Sequence, residues 1–580
     1  MLLKARGLGV RFGAVHALDG FDLALEEGEC RGLLGESGSG KSTLARTLLG
    51  ITTDAEFSGS LHLGELDLLH LSSPQWRAIR WREVALAFQA PSALNPGLHL
   101  DLQVMEPMEQ LMGLRRREAR ARALSLLERV GLASDRHHAY PGELSTGQKR
   151  LGLVAIALAC NPRLLILDEP TSGLDPLTRQ TLLGLLGELR NERSDRAMLV
   201  LGHDVEALHA IADSVQMLYA GRSMEVGPAK VVLEEPRHPY SWALLNSRPS
   251  LATVKEIRGI PGDNPDPTHP AVGCPFVPRC PQTILQCSAA PPPLLAVEGR
   301  PDHKVSCIRS GIITVLSARG VHFSHRGPLG RRIPILHGID VDLRAGEIVG
   351  IVGSTGAGKT TLAMCLTGHL PLDSGRVVFG NTNLRNLRHG EHADSRAGLQ
   401  MLFQDPFEAT SARLTVEEIV REPLDLDSRI SSESARELVG EALVSVHLPC
   451  DPPFLRRRSH ELSGGQLQRL GLARALIVQP RVLVADEPVA MLDPSEQAKA
   501  LQLLKRLQVE RGLALILISH DMAVVLRVAD RVLVLEGGKV IDRLTGDRLM
   551  RGEGQPLTRR LLMAAGVPRI YSEEDANESR

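Results

Sequence analysis

Two glycine-rich segments each combine a lysine with a hydroxyl side chain at a spacing that suits phosphate binding. They span residues 35–43 and 353–361. Glycines let successive backbone N–H groups face phosphate oxygens, and a following helix adds positive potential. Lys41 and Lys359 would reach the β- and γ-phosphates, and the next hydroxyl would bind Mg²⁺. The candidate nucleotide-binding residues are Gly35, Glu36, Ser37, Gly38, Ser39, Gly40, Lys41, Ser42 and Thr43, and Gly353, Ser354, Thr355, Gly356, Ala357, Gly358, Lys359, Thr360 and Thr361.

A pair of adjacent acids follows a second apolar run in each half of the chain. Asp168 and Glu169 form the first pair, and Asp486 and Glu487 form the second. Parallel sheets place their ligands at the carboxyl ends of strands, which is where these acids would lie. The aspartates, with Ser42 and Thr360 of the loops, would hold Mg²⁺, and the glutamates would orient or deprotonate an attacking water.

The two halves of the chain repeat each other. The loop lysines, the acid pairs and the segments Leu144–Gln148 and Leu462–Gln466 all recur 318 residues apart. A constant offset indicates duplication or fusion of two like domains. Within each half, the apolar runs predict an α/β domain whose short buried strands lead into the motifs. The predicted strands are 31–34, 163–167, 348–352, 482–485 and 513–519.

Composition narrows the class of protein. The 580 residues carry a net charge of −1, so charge offers no argument for a nucleic-acid partner. No apolar run approaches the roughly 20 residues that a membrane-spanning helix requires. The N-terminal segment also lacks the apolar core of a signal peptide. We therefore expect a soluble protein that acts on a membrane only through partners.

The segment Leu462–Gln466 places a serine and two glycines where a helix should begin, and free N–H groups there attract anions. With the phosphate loops and acid pairs, it makes nearly all of both repeats resemble the ABC ATPase family. In that family this signature contacts the nucleotide bound by the opposite domain. The signature residues are Ser145, Gly147 and Gln148 in the first repeat, and Ser463, Gly464, Gly465 and Gln466 in the second.

Further residues take their roles from this resemblance. Gln89 and Gln404 match the glutamine that helps to bind Mg²⁺ and links the nucleotide to the membrane subunits. His203 and His520 match the catalytic switch histidine that contacts the γ-phosphate. Phe12 matches the aromatic residue that stacks on adenine, and His325 stands in its place in the second repeat.

The resemblance implies two tandem P-loop ABC ATPase domains, each with a RecA-like core, an antiparallel β subdomain and a helical subdomain. We expect the first domain at 1–235, a Pro- and Cys-rich extension and linker at 236–312, the second domain at 313–550 and a tail at 551–580. The helical subdomains should lie near 90–145 and 405–463. The two domains should form an intramolecular head-to-tail dimer that encloses two MgATP molecules.

The extension resembles that of the oligopeptide, dipeptide and nickel importer branch of the family. The resemblance implies an ATP-hydrolysing subunit on the cytoplasmic face of the membrane, with two transmembrane permease subunits and an extracytoplasmic solute-binding protein as partners. Peptides are the first choice of solute, and nickel complexes and glutathione are the alternatives. The competing hypothesis is a non-transport ABC ATPase acting on ribosomes or DNA. Both histidines are present and coiled-coil heptads are lacking, which favours transport.

Four cysteines in the extension form a candidate metal site. Cys274, Cys280, Cys287 and Cys307 supply enough thiolates for a 4Fe–4S cluster, which some relatives carry, or for tetrahedral Zn²⁺ as the second choice. Unligated thiols remain the alternative, because the spacing alone is not diagnostic.

The two predicted ATP sites differ. Thr146 replaces a glycine in the first signature, and that signature should serve the site built on Lys359. A β-branched side chain would stand where the backbone should approach phosphate closely. Ala490 is the counter-signal, since it replaces a serine near the other site. We therefore expect the site built on Lys41 to carry most of the turnover.

Overall fold

The computed structural model describes residues 1–247, 259–326, 331–384, 397–404, 411–426, 430–490 and 492–566. They divide into two compact units. The first takes Met1–Leu245 and Gly262–Gly311, and the second takes the described parts of Asn246–Pro261 and Ile312–Arg580. Part of the predicted helical insertion at 405–463 and the end of the predicted tail lie outside the described residues.

The first unit contains two sheets with helices around them. Its strands are β1 (Leu3–Phe12), β2 (Val15–Leu25), β3 (Cys30–Leu34), β4 (Glu56–Leu63), β5 (Leu66–Asp67), β6 (Val84–Ala87), β7 (Leu164–Asp168), β8 (Ala197–Gly202), β9 (Ser214–Tyr219), β10 (Arg222–Pro228), β11 (Leu295–Val297) and β12 (Arg300–Val305). Its helices are α1 (Lys41–Leu48), α2 (Ser73–Ile79), α3 (Leu100–Met112), α4 (Arg116–Arg129), α5 (Thr146–Leu158), α6 (Pro176–Glu192), α7 (Val205–Ile211), α8 (Ala229–Glu234) and α9 (Pro239–Asn246).

The larger sheet of the first unit positions the motifs. Its strand order is β11-β12-β10-β9-β3-β8-β7-β6, and the five strands from β9 to β6 are parallel. Every residue of β7 is buried, as expected for a parallel strand covered on both faces. The extension adds β12 to this sheet, antiparallel to β10. The smaller sheet is antiparallel, in the order β2-β1-β4-β5. Leucines from both sheets and from α1 form a shared core.

The second unit has the same architecture. Its strands are β13 (Thr314–Arg326), β14 (Arg332–Arg344), β15 (Ile348–Gly353), β16 (Ser374–Phe379), β17 (Thr382–Asn383), β18 (Leu399–Leu402), β19 (Val482–Asp486), β20 (Ala514–Ile518), β21 (Arg531–Glu536) and β22 (Lys539–Thr545). Its described helices are α10 (Lys359–Leu366), α11 (Val416–Arg421), α12 (Ser432–Ser445), α13 (Pro452–Leu455), α14 (Gly464–Leu476), α15 (Pro494–Arg511), α16 (Met522–Val528), α17 (Gly546–Met550) and α18 (Pro556–Ala564).

The main sheet of the second unit runs β18-β19-β20-β15-β21-β22, with only the last pair antiparallel. A separate antiparallel sheet runs β14-β13-β16-β17. The predicted α/β fold is confirmed in both units, and each predicted strand lies within one or two residues of an observed one. Among the described residues, no helix is both long and apolar enough to cross a bilayer.

Candidate ATP-binding and hydrolysis sites

The phosphate loop of the first unit joins β3 to α1. Gly38 and Gly40 adopt φ of 81° and 106°, a left-handed conformation that disfavours other residues. Lys41 donates from Nζ to the backbone oxygens of Gly35, at 2.7 Å, and Glu36, at 2.9 Å. Burial lowers the pKa of Lys41, and the nearby acid pair opposes that shift. Lys41 is therefore held against the glycine-rich loop, whose backbone amides are suited to bind an anion.

The acid pair lies beside this loop because β7 is two places from β3 in the sheet. Ser42 donates from Oγ to Oδ2 of Asp168 at 3.1 Å. Burial raises the pKa of Asp168, and Ser42 opposes that shift. Glu169 has φ of 51°, a strained conformation for a residue with a side chain, and its N–H donates to the oxygen of Leu201. Backbone strain of this kind persists where the surrounding structure holds a residue in place. Glu487, the matching residue of the second unit, has the same φ of 51°.

Two predicted residues from neighbouring strands meet the glutamate. Gln89, after β6, donates from Nε2 to Oε2 of Glu169 at 2.9 Å. His203, after β8, has Nδ1 3.1 Å from Oε1 of the same side chain. The structure thus brings both residues to the carboxyl end of the sheet, next to the phosphate loop. Each can orient the carboxylate, and the carboxylate can accept a proton from water.

The second unit repeats this arrangement around a cleft of about 680 Å³, within the usual range for small-molecule sites. The cleft is lined by Lys359, Thr360, Gln404, Asp486, Glu487 and His520, among others. Lys359 donates to the backbone oxygens of Gly353 and Ser354. His520 places Nδ1 2.9 Å from Glu487, and its backbone N–H donates to Oε1 of that residue at 3.0 Å.

The buried carboxylate of Asp486 has the surroundings expected of a cation ligand. Neither oxygen has a hydrogen-bond partner among the described residues, although the residue is only 1% exposed. Burial raises the pKa of Asp486, the nearby hydroxyl of Thr360 opposes that shift, and the neighbouring Glu487 adds to it. A buried acid without partners is costly, and a divalent cation bound to it would remove that cost. The residues present therefore fit Mg²⁺.

The signatures begin helices in both units. Ser145 is the N-cap of α5, where Oγ accepts from the N–H of Gln148 at 3.2 Å. Ser463 and Gln466 make the same pair at the start of α14. A Cβ added at Gly464 would meet nothing within 4 Å, so the residue it matches, Thr146, projects into open space within its own unit.

The candidate adenine-stacking residues lie near strand ends. Phe12 ends β1 and is half-buried against the core of the first unit. His325 is exposed near the end of β13. The two positions match in the fold, but only Phe12 has an apolar ring supported by a core.

Arg150, on α5, was not among the residues predicted from the sequence. Its Nη1 donates to the oxygen of Glu169 at 2.7 Å, and its Nη2 donates to the oxygen of Gln89 at 3.1 Å. Gln468 is the matching residue in the second unit and donates to the oxygen of Pro488. A polar side chain at the same place in both helices, five residues after the N-cap serine and one turn into the helix, was the available signal.

The four predicted cysteines gather around one cavity in the extension. Cys274, Cys280, Cys287 and Cys307 all line it, and its volume is about 20 Å³, room for a single water-sized group. Burial raises the pKa of Cys274 to about 11 and that of Cys280 to about 12, and the other thiols add to both shifts. Among the described residues, no three metal-binding side chains stand at distances that would hold a metal ion.

Comparison with known proteins agrees with this geometry. The ABC transporter family matches residues 18–172 and 336–490, and the C-terminal region of oligopeptide/dipeptide transporters matches residues 224–287. The oligopeptide transport ATP-binding protein OppD of Mycobacterium tuberculosis is 34% identical to the chain, with 98% of each covered. The peptidoglycan transport ATP-binding protein YejF of Agrobacterium fabrum is 34% identical, with 97% of this chain and 96% of the relative covered.

A third relative is the glutathione import ATP-binding protein GsiA of Pectobacterium atrosepticum, which is 31% identical over 98% of this chain and 90% of its own length. The two family matches span the phosphate loops, the acid pairs and the signatures of both units. The chain therefore belongs to the ABC transporter family, as an ATP-hydrolysing subunit with two nucleotide-binding domains that uses MgATP.

Proposed function

We propose that ATP hydrolysis by this chain powers the import of peptides or related small solutes, with nickel complexes and glutathione as the alternatives. The observation that carries this proposal is the match of residues 224–287 to the C-terminal region of oligopeptide/dipeptide transporters. The names of the relatives that match over nearly the whole chain point to the same solutes.

In the first site, Lys41 and the loop amides bind the β- and γ-phosphates. Glu169 takes the proton of the attacking water, because its carboxylate is held between Gln89 and His203. His203, which is 68% exposed at its side chain, is free to turn towards the γ-phosphate. Phe12 supplies the ring for adenine.

In the second site, Lys359, Glu487 and His520 take the corresponding parts. The tighter hold of His520 on Glu487, through both ring and backbone, positions the base before nucleotide arrives. His325 would stack on adenine less well than an aromatic ring in a core.

Mg²⁺ would be held by Ser42, Asp168 and Gln89 in the first site. In the second, Thr360, Asp486 and Gln404 would hold it. When bound, the cation neutralises charge that develops on the phosphates. Displacing the Ser42 hydroxyl from Asp168 frees that carboxylate, whereas Asp486 is already unpaired.

The two domains pair head to tail in this proposal, and each signature completes the site on the other domain. Ser463, Gly464, Gly465 and Gln466 then serve the site of Lys41, and Ser145, Gly147 and Gln148 serve the other. The signature binds the γ-phosphate of ATP. ADP lacks this group, so hydrolysis and release of phosphate open the pair.

Two transmembrane permease subunits and an extracytoplasmic solute-binding protein complete the proposed transporter, with this chain at the cytoplasmic face of the membrane. Reconstitution tests the proposal. The isolated chain should show weak ATPase activity, and permeases with peptide-loaded binding protein should raise it. Binding protein without peptide is the matched control. Full activity of the isolated chain, insensitive to these partners, would contradict the proposal.

We further propose that the cysteine cavity binds metal, with a 4Fe–4S cluster as the first choice and Zn²⁺ as the second. Four thiols are the donor type that either group takes, although the described thiols would have to move closer together to hold one. The raised thiol pKa values mean that binding would release protons. Protein purified without oxygen should be brown, with iron and sulfide near four each per chain. Colourless protein without iron or zinc, from a host able to build clusters, would show that the thiols are unligated.

A further inference from the structure

One arginine of the cysteine-bearing extension contacts the phosphate loop of the first domain. Arg279 donates from Nη1 to Oε2 of Glu36 at 2.7 Å and from Nη2 to Oε1 at 3.1 Å. Only 4% of the arginine side chain is exposed. Glu36 is the second residue of the loop, 243 positions away in the chain. This two-pronged ion pair is the strong form of the contact.

The guanidinium is held in place from several sides. Its Nη1 also donates to Asn264 at 3.0 Å and to the hydroxyl of Tyr219 at 3.1 Å. Its carbon lies 5.7 Å from the centre of the Tyr219 ring. Asn264 in turn donates to the backbone oxygen of Ser37 in the loop, at 3.4 Å. The extension thus contacts two consecutive loop residues.

The pair has an electrostatic consequence for nucleotide binding. An acid in a phosphate loop repels the polyphosphate that the loop must bind. The bidentate contact with Arg279 neutralises Glu36 and directs its oxygens towards the extension. In the second domain, Ser354 occupies the matching position, so that loop carries no acid to neutralise.

A second contact distinguishes the two loops. The hydroxyl of Tyr240 accepts from the N–H of Glu36 at 2.9 Å and donates to the oxygen of Leu218. Leu557 stands at the corresponding place in the second repeat and has no hydroxyl. Tyr240 therefore couples the first loop to the segment that follows its domain, and Leu557 cannot make the same hydrogen bond in the second.

We propose that Arg279 is a positioning residue of the first ATP site, through which the extension sets the affinity of that site, and not of the second, for MgATP. The inference rests on the proposed role of Lys41 and its loop in binding ATP. Arg279 directly precedes Cys280 of the cysteine cavity, so a change in that cavity would reach the loop through adjacent backbone.

The test measures MgATP affinity in the full chain by displacement of a fluorescent ATP analogue. In a Lys359→Ala background, which leaves the first site, Arg279→Gln should weaken binding about tenfold, as expected for an exposed like charge in the loop. In a Lys41→Ala background the same change should have no effect. Glu36→Ser, which copies the second loop and removes the acid, should restore affinity to Arg279→Gln.

The suppression by Glu36→Ser separates a positioning role from a structural one, because a disrupted extension would not recover. Arg309→Gln is the matched control, since Arg309 also lies at the cysteine cavity but contacts the oxygen of Gln282 instead of the loop. It should leave affinity unchanged. If Arg279→Gln does not fold, Arg279→Lys replaces it, with an expected loss of about threefold.

Three results would overturn the inference: a loss of MgATP affinity in Arg279→Gln that Glu36→Ser does not restore, an equal loss in the Lys41→Ala and Lys359→Ala backgrounds, or no loss in either background. Failure of Lys41→Ala to weaken binding at the first site would instead overturn the proposed role of the loop. The two results are therefore distinguishable.

Discussion

Replacing Glu169 by Gln is expected to nearly abolish ATP turnover. The amide keeps the size of the side chain and can still accept from Gln89, which lies 2.9 Å away. It cannot take a proton from water. Loss of a general base costs roughly 100- to 10,000-fold in rate, or about 3–5 kcal/mol of transition-state stabilisation. Binding of MgATP should survive, since the phosphate loop is untouched.

The matching change, Glu487→Gln, is expected to leave measurable activity. The site of Glu487 is completed in our proposal by the signature that carries Thr146. A Cβ at the matching Gly464 meets nothing within 4 Å, so the threonine side chain causes no steric clash within its own domain. It projects towards the nucleotide that the opposite domain would bring to the start of the helix. It would keep the backbone from close contact with phosphate. The second site should therefore contribute the smaller share of turnover.

The assay is steady-state ATP hydrolysis by the assembled transporter with loaded binding protein. We expect Glu169→Gln to leave less than about a tenth of the activity and Glu487→Gln to leave distinctly more. Glu192→Gln, at an exposed acid paired with Arg129, is the control for the substitution itself. Equal losses from the two changes, or a larger loss from Glu487→Gln, would refute the asymmetry.

Three further predictions concern His238, the matching signature positions Gly464 and Thr146, and the two buried aspartates. Burial lowers the pKa of His238 to about 4, so between pH 6.5 and 4 only the unfolded chain gains a proton at this residue and the folded state loses stability. Hydrogen exchange of the backbone amides in α9 should show a loss of about 3 kcal/mol of protection as the pH falls across that range. The same pH dependence in a His238→Asn variant would contradict this prediction. Gly464→Thr should lower ATP turnover without lowering the melting temperature, and Thr146→Gly should raise turnover; unchanged rates in both would exclude a role for these positions. Asp486→Asn should stabilise the nucleotide-free protein by about 1 kcal/mol and remove its stabilisation by MgATP, with Asp168→Asn, at an acid that already has a hydrogen-bond donor, showing the smaller gain in melting measurements.

Features that depend on residues close together in the chain could be predicted from the sequence. The phosphate loops need glycines with positive φ next to a lysine, as at Gly40 and Lys41, and those requirements are written in consecutive positions. The same holds for the N-cap formed by Ser463 and Gln466, three residues apart. The 318-residue repeat then identified the equivalent parts of the second domain.

Contacts between side chains that are far apart in the chain depend on the three-dimensional fold. The order of parallel strands brings Gln89, Glu169 and His203 together, although 80 and 34 positions separate the glutamate from its two partners. Pairing of Arg279 with Glu36 depends on the extension folding back onto the first domain across 243 positions. No local pattern encodes such contacts, because they are set by strand order and by the packing of the extension, whose energies are summed over many residues.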